Sequence, residues 1–383
     1  MTTVERTTAP AGDEVREYNR TAIEVAAIIN EHRMATFSAE ASAGEPGLDQ
    51  LFPDLNRVPL GVALEYERMG NQPVSDELAT RAADLGYRLE HVGLTIGTVV
   101  HGIDLRAPSA DAIAFVHDVQ LERKVVFFRD QHLSEDEQVA LGRHFGDLDA
   151  FPFAPPGENP FIAEISHGRR RPGTENGWHT DVTWMEQPSL GSIAQLIEAP
   201  PSGGNTLFAD SHAAFLGLPP ALQELTRHLD GTNDYRLFVA PGGRNILPDD
   251  LVAEIKERIP FGVVHPLART HPETGKTALF MNGAFLRPES LVDRRTGESI
   301  GEKASKRTVV RLLSEHARPE YQCRFQWSEG DVAFWDNRAV QHYASSDYWP
   351  HRRILRRVTV AGDRPYFDAD EDARTTPERL LAG

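Results

Sequence analysis

Residues 178–181 read Trp178-His179-Thr180-Asp181. On an extended backbone, residues two apart point to the same side. His179 and Asp181 can therefore bring an imidazole nitrogen and a carboxylate oxygen to one metal ion. A second histidine, His342, follows 163 positions later in Trp335-Asp-Asn-Arg-Ala-Val-Gln-His342-Tyr343. Two histidines and a carboxylate on one face of a metal form the facial triad of non-haem Fe(II) oxygenases, which leaves positions open for cosubstrate and dioxygen. Zinc hydrolases use the same donors, so the set alone leaves the metal open. His-x-Asp by itself is a weak signal, because it arises by chance in chains of this length.

A basic cluster follows. His351-Arg352-Arg353-Ile-Leu-Arg356-Arg357 places four arginines in seven residues of a strand-like segment. Arg353 and Arg357 are an even number apart and share a face on a regular strand. A guanidinium fork near a metal suits the distal carboxylate of an oxo-diacid. The competing reading is a solvated strand edge.

Around this centre, the stretches 125–129, 161–166, 191–197, 206–210, 277–282, 322–327, 332–337 and 354–361 have strand character. Ser134-Glu-Asp-Glu137 is a capping box opening a helix. Helices are also expected over 219–229 and 302–316. Many strands at uneven spacing with a few helices predict a mainly β domain, closed or sandwiched, with inserted helices. Residues 1–86 read differently. Helical periodicity over 13–34, a small polar stretch over 38–47 and a second helix capped by Ser75 predict an N-terminal helical extension with linker. The division expected is 1–86 and 87–383.

The 383 residues carry 40 Lys+Arg against 57 Asp+Glu, a formal net charge of −17. That excess of acid argues against a nucleic-acid partner, which needs a basic face. The one cysteine, Cys323, rules out an intramolecular disulfide and a thiolate zinc cage. With no apolar leader, it points to a cytoplasmic protein. No run reaches about 18 apolar residues, so no membrane span is expected.

Six stretches in order carry a resemblance: Val126-Phe-Phe-Arg-Asp-Gln131, Phe145-Gly-Asp-Leu148, Trp178-His-Thr-Asp-Val-Thr183, Ser202-Gly-Gly-Asn-Thr-Leu207, His271-Pro-Glu-Thr-Gly-Lys276 with Ala278-Leu-Phe280, and Trp335-Asp-Asn-Arg-Ala-Val-Gln-His-Tyr-Ala344. Over about residues 87–370 the chain resembles the taurine dioxygenase (TauD/TfdA) family of Fe(II)/2-oxoglutarate-dependent dioxygenases. The resemblance implies a double-stranded β-helix (jelly roll) core. It implies Fe(II) on His179, Asp181 and His342, with no catalytic residue beyond the metal centre. It implies 2-oxoglutarate at Thr206 and Arg353, O2 as the other cosubstrate, and a prime substrate near Arg357, Phe238 and Phe280. Two positions depart from the taurine enzyme's pattern. Phe151 stands where that enzyme has a sulfonate-binding histidine, and Glu175 where it has an asparagine. Taurine is therefore not the expected substrate, and a larger, more apolar organic anion is. Relatives form dimers or tetramers, so a homo-oligomer is expected. The alternatives are a zinc hydrolase on the same triad and a catalytically silent jelly-roll binding protein.

Overall fold

The computed structural model describes residues 60–150, 159–173, 175–236, 248–258 and 262–376. The helix expected over 13–34, the polar stretch over 38–47, and both Phe151 and Phe238 lie outside them. The described helices are α1 Leu60–Arg68, α2 Asp76–Asp84, α3 Ala110–Arg123, α4 Glu135–Arg143, α5 Ser211–Leu216, α6 Pro220–Arg227, α7 Asp249–Arg258, α8 Glu302–His316 and α9 Ala369–Thr375. The strands begin with β1 Arg88–His91, β2 Thr98–His101, β3 Val125–Phe128, β4 Leu148–Asp149, β5 Ala163–His167, β6 Gly191–Glu198, β7 Thr206–Asp210 and β8 Leu229–Asn233. They continue with β9 Val263–Pro266, β10 Ala268–Thr270, β11 Thr277–Leu279, β12 Val292–Asp293 and β13 Glu298–Ser299. The last four are β14 Gln322–Phe325, β15 Val332–Asp336, β16 Val340–Ala344 and β17 Arg353–Val360. The protein is mainly β with inserted helices.

The large sheet runs β1-β2-β3-β15-β6-β17-β4, with β5 also pairing on β17. A three-stranded sheet, β14-β7-β16, is packed against it through a shared apolar layer. β3 shows why. Its sequence Val-Val-Phe-Phe is buried throughout. Val125 and Phe127 face the layer between the sheets, where Phe127 stacks on Phe325 with ring centroids 4.0 Å apart. Val126 and Phe128 face the opposite way, onto α2 and α3. A strand covered on both faces loses the alternating pattern and becomes a continuous apolar run. The expected capping box is present: the Ser134 hydroxyl accepts from the Glu137 backbone, and the Glu137 carboxylate accepts from the Ser134 N–H. Ser75 caps α2 as expected.

α1 and α2, which fall within the expected extension, pack on other described parts of the protein. Val62 and Leu64 are buried with α5, α8 and β11, and Leu78 and Ala82 with α3. A Cβ on Gly61 would sit 1.9 Å from the Ala213 carbonyl oxygen, so α1 and α5 touch backbone to backbone. Glu65 anchors the same helix. Its Oε1 lies 3.0 Å from Lys124 Nζ and 3.0 Å from Lys276 Nζ, and Arg68 pairs with its other oxygen. Lys124 also reaches Asp210, at 2.9 Å. Burial would raise the Glu65 carboxyl, but Lys124, Lys276 and Arg68 together outweigh it and hold the group well below the usual carboxylate range. No helix among the described residues is long and apolar enough to cross a membrane.

Candidate active site

β16 runs beside β7, with His342 opposite Phe208. On its other side, His179 is tied to His342 as an antiparallel bridge. The His179 N–H donates to the His342 carbonyl at 3.0 Å, and the His342 N–H donates back at 2.8 Å. The two rings then lie 4.1 Å apart, centroid to centroid. His179 Nδ1 is 2.7 Å from the Gly177 carbonyl. A proton on Nδ1 makes that bond and leaves Nε2 as the bare nitrogen, the usual way a second partner orients a metal-binding imidazole. His342 makes no side-chain hydrogen bond among the described residues, and its Nδ1 is buried without a partner.

Asp181 is fixed by Asn337. The Asn337 Oδ1 accepts from the Asp181 N–H at 2.8 Å and from the Thr180 hydroxyl at 2.7 Å, while its Nδ2 donates to the Asp181 and Ser189 carbonyls. The next residue, Val182, has φ +47°. A β-branched residue in the left-handed region costs on the order of 1–3 kcal/mol and persists only where its surroundings fix it. Here the strain turns the chain sharply, immediately after the Asp181 carboxylate.

One donor atom from each of His179, Asp181 and His342 lies within 4.8 Å of the others. His342 Nε2 and Asp181 Oδ1 are 3.9 Å apart. That gap is too long for a hydrogen bond, and two bonds of about 2.0–2.2 Å to one ion span it. Arg357 Nη1 takes the other Asp181 oxygen at 3.1 Å. Burial alone would raise the Asp181 carboxyl, yet Arg357 and the two imidazoles hold it down at about 2. Burial, and then the neighbouring His179, push His342 down to about 3. The donor set at neutral pH is therefore two imidazoles, His342 among them uncharged, and an ionised carboxylate. Cys323 is elsewhere, buried between the sheets with its thiol pushed up to about 12.

β17 lays Arg353, Leu355 and Arg357 along one wall of a cavity that His179, His342 and Thr206 also line. The single register shift in this region, at Ile354/Leu355, adds its extra residue to β6, so alternation along β17 is unbroken. Arg353 is buried and donates Nε to the Gly204 carbonyl at 3.1 Å. Its paired terminal nitrogens stay available to a ligand. The Thr206 hydroxyl accepts from the Trp327 indole at 3.0 Å, which leaves its own proton to donate.

Of the residues expected at the substrate, Arg357 and Glu175 line the cavity. Phe280 does not. It is buried under the Arg269 guanidinium, 4.8 Å from its ring, and edge-on to His265. His265 and His271 are structural: His265 is bonded to the Met185 carbonyl and His271 to Asp336. Trp327, Tyr348 and His167 were not foreseen in the cavity wall. No local pattern marks them, because each is recruited from a different strand or turn.

The family model described as "Taurine catabolism dioxygenase TauD, TfdA family" matches residues 88–359, a span that contains every cavity residue named above. The chain belongs to this family. The alpha-ketoglutarate-dependent sulfate ester dioxygenase of Pseudomonas putida is 35% identical over 309 residues, covering 78% of this chain and 97% of that protein. The alkylsulfatase of Acinetobacter baylyi is 33% identical over 274 residues, covering 70% and 83%. Among solved structures, a taurine dioxygenase from Burkholderia xenovorans superposes with a TM-score of 0.59 at 30% identity, covering 74% of this chain and 92% of that one. With membership goes the reaction class: the family member described here is a 2-oxoglutarate-dependent dioxygenase.

Proposed function

We propose that this enzyme holds Fe(II) on His179, Asp181 and His342 and oxidises a sulfate ester, using the two facing sheets as the double-stranded β-helix of its family. The observation that carries the reading is that His179 and His342, grouped with Asp181 within 4.8 Å, line one cavity together with the Arg353 fork. Similarity along 97% of a sulfate ester dioxygenase supports the substrate class. The donor set fits the group: imidazoles and a carboxylate kept ionised, with no thiolate. Iron bound there supplies the oxygen chemistry that protein side chains lack.

The chain's own residues bind and orient. Arg353 and the Thr206 hydroxyl take the distal carboxylate of 2-oxoglutarate, the first through a charged fork and the second through a single donated proton. Arg357 offsets the Asp181 charge and presents a cation toward the sulfate. Leu355, Phe208 and Trp335 line the remaining wall and keep water out. One oxygen atom of O2 enters the carbon bearing the ester oxygen, and the other enters succinate as 2-oxoglutarate loses CO2. The hydroxylated ester then breaks its C–O bond to sulfate, giving an aldehyde and hydrogensulfate. Phe151, in place of the taurine enzyme's histidine, argues for an apolar chain on the substrate.

The test is a panel of alkyl sulfates, alkyl sulfonates and phenoxyacetates with Fe(II), 2-oxoglutarate and O2, scored for succinate, free sulfate and aldehyde. Stoichiometric succinate and sulfate from alkyl sulfates is the expected result. Succinate formation driven only by sulfonates or phenoxyacetates would sink the substrate assignment, and none with any of them would sink the function.

A further inference from the structure

Three residues in the cavity wall have no part in the scheme above. Tyr348 is buried, and its hydroxyl lies 2.9 Å from His167 Nδ1. His167, also buried, turns its other nitrogen, Nε2, toward Glu175 Oε2 at 3.5 Å. That distance is long for a hydrogen bond, but a carboxylate so placed selects the tautomer with the proton on Nε2. Nδ1 then accepts, and the Tyr348 O–H donates to it. The phenol is thereby engaged, and what it offers its neighbours is a fixed ring. The Arg353 guanidinium carbon lies 5.9 Å from the centre of that ring. Burial holds the Arg353 guanidinium below its usual range, and the Glu175 carboxylate partly offsets that burial.

The backbone is fitted to the same arrangement. His167 ends β5 directly opposite Arg353 on β17. The chain then passes through Gly168–Arg171 and returns over the phenol at Gly173. A Cβ on Gly173 would lie 2.6 Å from the Tyr348 oxygen and 2.9 Å from Ser346 Oγ. A side chain here would have to push the tyrosine oxygen or Ser346 Oγ aside.

The geometry points to a positioning relay: Glu175 fixes His167, His167 fixes Tyr348, and the Tyr348 ring holds Arg353 in the orientation that receives the cosubstrate. This inference rests on the proposed function, because it needs Arg353 to bind 2-oxoglutarate. It assigns Glu175 a role different from the one its sequence position suggested. Glu175 acts on the cosubstrate end of the cavity through His167, and the prime substrate does not depend on it.

The experiment measures binding directly. The full chain is loaded with Mn(II), and 2-oxoglutarate is titrated calorimetrically into wild type, Tyr348→Phe, His167→Leu, His167→Asn, Glu175→Ala and the Tyr348→Phe/His167→Leu double variant. Loss of one hydrogen bond in the relay weakens 2-oxoglutarate about fivefold in Tyr348→Phe and in His167→Leu. The double variant is no weaker than the worse single one, since both break the same link. His167→Asn, whose amide can stand in for Nδ1, recovers most of the affinity. Glu175→Ala weakens 2-oxoglutarate as well, while the KM for the alkyl sulfate stays within about twofold of wild type in steady-state assays.

Unchanged 2-oxoglutarate affinity in Tyr348→Phe, which removes a single oxygen and does not threaten the fold, overturns the relay. So do losses that multiply in the double variant, or a Glu175→Ala effect confined to the alkyl sulfate KM. In each of these cases wild type binds 2-oxoglutarate and the proposed function stands. A wild-type chain that binds none overturns the function and the relay together.

Discussion

Asp181 and Glu65 are both buried carboxylates, and both are surrounded by cations. Glu65 is closed: Lys124 and Lys276 take one oxygen and Arg68 the other. Asp181 is open: Arg357 takes one oxygen, while the other faces, across 3.9 Å, the uncharged His342, which lines a cavity. The first arrangement ties together chain segments and has no bonding capacity left to offer a ligand. The second keeps a donor set that only an added cation completes. Burial and a depressed carboxyl therefore do not by themselves identify a reactive site. What separates the two is whether the partners exhaust the oxygens.

The contrast can be broken by substitution. A chain beginning at Leu85 loses Glu65 along with Val62, Leu64, Leu78 and Ala82, and leaves the buried Lys124 with Asp210 as its remaining carboxylate. It is expected to give no cooperative unfolding transition, and a normal one would show that α1 and α2 are dispensable. Within the full chain, Glu65→Ala takes the carboxylate from the part-buried Lys276 and one of two from the buried Lys124, and costs about 3–5 kcal/mol, read from urea midpoints. At temperatures where the variant stays folded, its turnover should match wild type. Asp181→Asn should do the reverse. It removes a metal-binding oxygen and lowers turnover by more than about a hundredfold, beyond what a change outside the donor set causes, with the unfolding midpoint moved far less. Asn337→Ala, which loosens Thr180 and Asp181 without touching the donors, should fall between, at about 10–100-fold in activity. If Glu65→Ala and Asp181→Asn each moved both readouts equally, the division between closed and open carboxylates would fail.

The pH dependence of stability sharpens the same contrast at smaller amplitude. The folded Glu65 carboxyl sits below its unfolded value of about 4.3. Its contribution is thus complete above that pH and is lost as the pH falls below it. The stability gap between wild type and Glu65→Gln should be constant from pH 7 to 5 and shrink below about 4.3. A gap that grew on acidification would mean the carboxyl is not held ionised in the fold.

The grouping of His179, Asp181 and His342 was legible because metal chemistry demands particular residue types. An imidazole and a carboxylate two apart, then an imidazole followed by spaced arginines, is a pattern with few other uses. Caps were legible for the same reason: Ser134 and Ser75 do what their local sequence requires. What covers α1 was not. Its sequence shows an apolar face but cannot name α5 and α8 as the cover, and Glu65 finds its cations at positions 68, 124 and 276. Asn337 shows the same limit. Its place before His342 gives no sign that its amide reaches back to Asp181. Phe280 was expected at the substrate through likeness alone, and Arg269 occupies its ring face. The register of β17 on β5 and β6 makes neighbours that no local window contains, so the relay through Tyr348 and His167 had no signature.

The backbone bridge between His179 and His342 also sets a schedule. During synthesis the first two donors leave the ribosome with no partner strand to hold them. The rest of the chain up to His342 follows over roughly 10–30 s at ordinary elongation rates. Until then no complete site exists to capture a metal or cosubstrate. On the proposed assignment, loading waits for the late ladder to close, and metal uptake by the newborn chain would be a clock for the finished fold.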